Sequence, residues 1–204
     1  MYKHFIWDFD GTLFDSYPAM VKAFQKTLAD LGVEMSEEAI LMHMKISIKH
    51  LIEHCTKTYG TSENFYEEFD EVLKVYEAQL VKPYSGNIDV CKSICERGGK
   101  NYVYTHRGAS TYKYLEKYDM VQYFEEVVTS ENGFARKPDP EAVSHLLEAH
   151  NIQPEEAILI GDRELDIVSG QNAGIKGCFY RERPEFVCDL ADYEIVTFRE
   201  LLNL

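Results

Sequence analysis

WDFDGTLFD, residues 7–15, closes a short apolar run that begins at His4. His4 to Trp7 reads as a buried strand. Acidic residues are poor strand formers and costly to bury. Yet this strand ends on Asp8 and Asp10, one on each side of Phe9. Gly11 permits a sharp turn directly behind them. In open α/β sheets the reactive groups collect at the carboxyl ends of the strands. The two carboxylates stand where such a sheet does its chemistry.

Working outward, the next 65 or so residues change character. Met20, Phe24, Leu28 and Leu31 fall at helical spacing, with Ser16 as N-cap, Pro18 in the first turn and Gly32 as the stop. Ser36 starts a second helix, and Leu51, Ile52 and Cys55 mark a third that ends near Gly60. Phe65, Phe69, Leu73, Tyr76 and Leu80 form the stripe of a fourth. Past Pro83 and Gly86 the pattern becomes alternating helix and strand. NYVYT (101–105), residues 126–129, AILIG (157–161), residues 177–180 and residues 194–196 read as strands. Asp139 caps a helix with Pro140 at its first position, and the last residues read as a final strand and helix. Repeated β-α-β units predict an α/β fold, a Rossmann-like parallel sheet with helices on both faces. A small all-helical domain, residues 16–81, is then an insertion after the first strand of a core formed by residues 1–15 and 82–204.

Four stretches join strand ends to polar residues: Asp8-Phe9-Asp10, Thr105-His106-Arg107, Arg136-Lys137-Pro138, and Gly161-Asp162 with Asp166. Together they offer four carboxylates, a hydroxyl and several cations. Carboxylates gathered in one place repel unless a cation sits between them. Hard oxygen ligands suit Mg²⁺. A lysine beside such a cluster suits a phosphate, whose charge it shares with the metal. A carboxylate can attack phosphorus and form an acyl phosphate.

These stretches resemble the motifs of the haloacid dehalogenase-like hydrolase superfamily, in its phosphoglycolate phosphatase and β-phosphoglucomutase branch. WDFDGTLFDS is similar to the first motif, VYTHRG to the second, RKPDPE to the third and LIGDRELDIVSGQNAG to the fourth. The resemblance implies a Mg²⁺-dependent phosphatase acting on a small phosphomonoester, such as phosphoglycolate or a sugar phosphate. It implies Asp8 as nucleophile and Asp10 as general acid and base. It implies that Thr105, the backbone of His106 and Lys137 bind the transferring phosphate. It implies that Asp8, the Asp10 carbonyl and Asp162 hold Mg²⁺ and that Asp166 orders its waters. The helical insertion corresponds to the branch's substrate-selecting cap. There MHMKISIKH (42–50) stands where a specificity loop belongs, with Ile46 in place of its glycine and Lys45 as a candidate substrate contact. Trp7, His106, Arg107 and Arg163 depart from the usual residues, and Arg107 is a second candidate contact. Two other readings stay open: a phosphomutase on the same scaffold, and a non-catalytic scaffold that binds a phosphorylated ligand.

The remaining features narrow the setting. A net charge of −14 repels nucleic acid and anionic membrane. The expected partner is a small phosphorylated metabolite, and no obligate protein partner is implied. The five cysteines have no zinc-site spacing. Cys91 and Cys95 share one helix face and read as buried thiols. Free thiols without a signal segment or membrane span indicate the cytoplasm.

Overall fold

The computed structural model describes residues 1–204. They form two compact units, Met1–Phe14 with Pro83–Leu204, and Asp15–Lys82. In chain order the strands are β1 (His4–Trp7), β2 (Phe14–Asp15), β3 (Lys82–Pro83), β4 (Lys100–Tyr104), β5 (Phe124–Val128), β6 (Ala157–Gly161), β7 (Lys176–Tyr180) and β8 (Tyr193–Ile195). The helices are α1 (Tyr17–Asp30), α2 (Glu37–Ile46), α3 (Ile48–Tyr59), α4 (Phe65–Leu80), α5 (Asn87–Glu96), α6 (Ser110–Lys117), α7 (Glu141–Ala149) and α8 (Glu164–Asn172).

Six strands of the first unit form one sheet in the order β5-β4-β1-β6-β7-β8. All their pairings are parallel. Every residue of β6 is buried, as a strand covered on both faces requires. In register, Trp7 of β1 sits beside Val103 and Ile160. The residues that follow β1, β4 and β6 therefore emerge along one edge of the sheet. On one face Ile6, Tyr102, Tyr104 and Leu159 pack with Ala142, Val143 and Leu146 of α7. Period-two alternation turns Phe5, Trp7, Asn101 and Val103 to the other face. There Asn101 Nδ2 donates to the Cys91 carbonyl of α5 at 3.0 Å, and the Trp7 ring lies 6.0 Å from Phe198.

Trp7 is fully buried, and its position in the sheet explains its unusual identity. An indole tolerates burial only when its N–H finds an acceptor. Trp7 Nε1 donates to Asn101 Oδ1 at 2.9 Å, across the β1–β4 pair. The amide of Asn101 is spent on backbone carbonyls, of Cys91 at 3.0 Å and of Tyr123 at 3.2 Å. Cys91 is buried and Cys95 half-buried beside it on α5, and both are free thiols.

The second unit has its own core. Phe24 of α1 stands edge-on to Phe65 and Phe69 of α4, at 5.1 and 5.3 Å between ring centres. Ser36 caps α2 by accepting from the Ala39 N–H, and Gly60 ends α3 in the left-handed region at φ 70°. Ser47 closes α2 and opens α3, its hydroxyl accepting from the His50 N–H at 2.9 Å. MHMKISIKH is thus two helix ends meeting at one extended residue.

Two expected caps differ. Ser16 precedes α1, but its hydroxyl makes no capping bond and instead points to Met20 Sδ at 3.8 Å. Pro140 occupies the N-cap of α7 rather than its first turn, because α7 begins at Glu141. Asp139 still serves that end, accepting from the Glu141 N–H at 2.9 Å. No helix is long and apolar enough to cross a membrane.

Trp7 is the sole tryptophan, so its fluorescence reports this half of the core directly. Asn101→Ala leaves the buried indole N–H of Trp7 without its acceptor. It is expected to lower stability by about 1–3 kcal/mol in urea unfolding followed by tryptophan emission. A change under about 0.5 kcal/mol would contradict this role for Asn101.

Candidate active site

Three backbone turns at the carboxyl edge of the sheet bring the acidic residues together. Asp8 continues β1, its N–H donating to the Ile160 carbonyl of β6 at 2.8 Å. The chain then folds back on itself. Phe14 N–H donates to the Phe9 carbonyl at 2.9 Å and Gly11 N–H to the Phe14 carbonyl at 2.8 Å, with Gly11 at φ 81°. The loop is pinned from α5, where Asn87 Nδ2 donates to the carbonyls of Thr12 and Leu13, both at 2.9 Å. Asp162 follows β6, and its Oδ1 accepts from the Thr12 hydroxyl at 3.2 Å. Asp166 folds back from the first turn of α8, its Oδ2 accepting from the Arg163 N–H at 3.1 Å. Gly161 makes room for it: a Cβ there would stand 2.3 Å from the Asp166 Cβ.

Asp8, Asp162 and Asp166 converge, each with a carboxylate oxygen within 4.8 Å of the others, and all are buried. Lys137 is their closest counter-charge. Its Nζ lies 2.6 Å from Asp8 Oδ1, 2.8 Å from Asp166 Oδ1 and 2.9 Å from the Tyr104 carbonyl. Arg163 Nη2 stands further off, 3.8 Å from Asp8 Oδ2. Burial alone would lower the lysine's pKa, but Asp166 and Asp8 outweigh it and raise it. Burial, then the Asp166 charge, pushes Asp8 up to about 7 against the pull of Lys137 and Arg163. Negative charge is therefore in excess. Asp8 Oδ2 is buried without a hydrogen-bond partner. Hard carboxylate oxygens in excess of cations, one of them unsatisfied, are a donor set that fits a divalent ion of the Mg²⁺ type.

Lys137 reaches the cluster because its loop is held from two sides. Ser169 Oγ donates to the Asp139 carbonyl and Asn172 Nδ2 to the Pro138 carbonyl, each at 3.0 Å. The Lys137–Pro138 peptide is cis. From β4, His106 Nε2 accepts the Lys137 N–H at 2.8 Å. An imidazole that accepts on Nε2 is neutral and carries its proton on Nδ1. Burial, with Lys137, Arg136 and Arg163 nearby, drives the His106 pKa down to about 2, which agrees with that bond. Sequence reasoning assigned this residue only a backbone role. The missing signal was tertiary, since its partner is 31 residues away.

The other expected residues fall as follows. Thr105 directly follows β4 and is buried, its hydroxyl accepting from the Arg107 N–H at 3.1 Å. Asp10 lies outside the carboxylate cluster, and Arg107 holds it. Arg107 Nη2 donates to Asp10 Oδ1 at 2.6 Å, and Nε is 3.2 Å from both oxygens. The guanidinium also lies 5.5 Å from the ring centres of Phe9 and Tyr114. Such a fork is the strong, oriented form of an Arg–carboxylate pair. Arg107, expected as a substrate contact, is thus engaged with Asp10. Lys45 belongs to the helical unit, where its Nζ lies 4.4 Å from the Tyr17 ring centre.

A parallel sheet carrying buried carboxylates and a lysine along its carboxyl edge defines an α/β protein with a site suited to hard cations and anionic groups. The model of the family described as haloacid dehalogenase-like hydrolase matches residues 5–179. The chain belongs to that family and is a hydrolase. It is 27% identical to a phosphoglycolate phosphatase of Aquifex aeolicus, over 95% of this chain and 98% of that one. It is 30% identical to a putative pyrophosphatase PpaX of Clostridium perfringens, over 87% and 83% of the two chains. Among solved structures, a hydrolase from Streptococcus pneumoniae TIGR4 shares 32% identity, with a TM-score of 0.70 over 100% of this chain and 99% of that one.

His106 is expected to stay neutral through the working range. Its ring resonances should not move between about pH 8 and about pH 5, where an ordinary histidine titrates. Nitrogen-detected NMR of the histidine side chains reads this, with Nε2 in the unprotonated range. A midpoint near 6.5 would show that the bond to the Lys137 N–H is absent.

Proposed function

We propose that the protein is a Mg²⁺-dependent phosphatase that hydrolyses a small phosphomonoester through a phospho-aspartate on Asp8. The observation that carries this reading is Lys137, buried between Asp8 and Asp166 beside an unsatisfied carboxylate oxygen. Phosphoryl transfer needs in-line positioning and neutralised charge more than any special reagent. A relative named as a phosphoglycolate phosphatase supports the phosphomonoester class, and one named as a putative pyrophosphatase supports phosphoryl-group hydrolysis.

Asp8 and Asp162 would hold Mg²⁺, with the Asp10 carbonyl as the further expected ligand and Asp166, whose carboxylate joins theirs, to order its waters. When bound, the ion neutralises the carboxylates and the substrate's phosphoryl oxygens. A carboxylate oxygen of Asp8 attacks phosphorus as the bond to the leaving oxygen breaks. Asp10, as acid, gives that oxygen a proton. Asp10, now a base, takes a proton from water, whose oxygen attacks phosphorus and returns Asp8 with inorganic phosphate. Lys137 and the Thr105 hydroxyl bind the phosphoryl oxygens. His106 acts through Lys137 by holding its backbone. Arg107 acts through Asp10 by fixing the direction of its carboxylate. The helical unit serves as the substrate-selecting cap, with Lys45 among its candidate contacts.

Phosphate release from a panel of esters, with Mg²⁺ and with EDTA, tests the reading. Activity should require Mg²⁺, and Asp8→Asn should lower it by more than about 10³-fold. Release that persists in Asp8→Asn would sink the phospho-aspartate route. Arg107→Met should lower kcat by about tenfold or more with little change in KM, a smaller loss than the roughly 10²–10⁴ expected of Asp10→Asn. A rise confined to KM would instead make Arg107 a substrate contact.

A further inference from the structure

Three of the seven histidines gather in the helical unit, where the proposed chemistry uses none of them. His50 and His54 are four residues apart on α3 and so lie on one helix face. His43 comes from α2, on the other side of Ser47. Its ring stacks on His54 at 4.2 Å between centres, 27° from parallel, and on His50 at 5.2 Å, 23° from parallel. All three side chains are half-buried. His43 Nδ1 is buried without a hydrogen-bond partner. Leu51 and Cys55, one residue further along α3, face the unit's core and are buried.

A buried imidazole nitrogen without a partner is costly. Three imidazoles side by side also repel once more than one is protonated. Burial, then His54 and His50, lowers the pKa of His43, so its ring is neutral at neutral pH. Neutral imidazole is the form that ligates borderline transition metals. Two histidines four apart on a helix are a known zinc-chelating spacing. The rings stand stacked, not pointing at a common centre. Bringing a nitrogen of each to one ion requires turns about χ2, a torsion with broad wells for histidine.

We propose that His43, His50 and His54 form a second metal site, for Zn²⁺ or a similar borderline divalent ion, that ties α2 to α3 across Ser47. It differs in chemistry from the carboxylate cluster: nitrogen donors select zinc, hard oxygens select Mg²⁺. The inference stands independently of the phosphatase reading.

The test is a Zn²⁺ titration of the full chain in excess Mg²⁺, against a chromophoric zinc indicator. One zinc equivalent is expected to bind. Its dissociation constant should rise at least about tenfold in the His50→Gln, His54→Gln double variant. The wild-type protein supplies a second readout that needs no variant to fold. Zn²⁺ should shift the side-chain nitrogen resonances of His43, His50 and His54 and leave those of His145 and His150 in place. Co²⁺ in place of Zn²⁺ should give no thiolate charge-transfer band. No zinc bound in excess Mg²⁺, unchanged affinity in a folded double variant, or shifts confined to other residues would each overturn the proposal.

Discussion

A lysine ammonium buried between two aspartates is the constraint on which the rest of this molecule depends. Lys137, Asp8 and Asp166 are all withdrawn from water. Removing one member of a buried ion pair leaves a charge with neither partner nor solvent, at a cost of about 3–5 kcal/mol. The three must therefore arrive together, although they come from distant parts of the chain. The parallel sheet is the device that achieves this. Its strands end level, and the residue after each strand opens on the same edge. Three aspartates still outnumber Lys137 and the more distant Arg163. That imbalance is what suits the cluster to the cation and phosphoryl group of the proposed chemistry.

The supports around the cluster repeat one theme. Every functional side chain is aimed by a residue that has no direct part in the proposed chemistry. Asn87 pins the turn behind Asp8 and Asp10. Gly161 leaves the volume that Asp166 fills. Ser169, Asn172 and the His106 ring hold the loop of Lys137. Arg107 holds Asp10 away from the carboxylate cluster by a fork with two points of contact. In the proposed chemistry, separate surroundings for two aspartates two residues apart go with separate roles, nucleophile and proton carrier.

Much of this architecture was readable in one dimension. The apolar run to Trp7, the buried AILIG strand and the helical stripes of residues 16–80 rest on periodicity, which burial imposes locally. The residues of the cluster were readable because strand ends in such a sheet share one edge. Other features were not. Trp7 looked like an irregularity until Asn101 appeared as its acceptor, 94 residues away. Arg107 stood in the sequence as a candidate substrate contact, and its pairing with Asp10, 97 residues away, was not legible there. Ser16 had the identity of a cap but lacked its geometry. The His43, His50 and His54 stack left only the four-residue spacing on α3 as a trace, because its third member lies on another helix.

By itself the sequence determined the main helices and the six strands of the large sheet, its parallel sense, and which residue types could carry chemistry at strand ends, but not the short β2 and β3 pair. These follow from local periodicity and turn chemistry, which involve neighbours along the chain. Only the tertiary structure decided the pairings: Lys137 with Asp8 and Asp166, Arg107 with Asp10, the His106 ring with the Lys137 backbone. The physical reason is that a charge or a lone pair is satisfied by whatever stands about 3 Å away in space. Across loops this long, that identity is written in the packing of the sheet and not in the spacing of the residues.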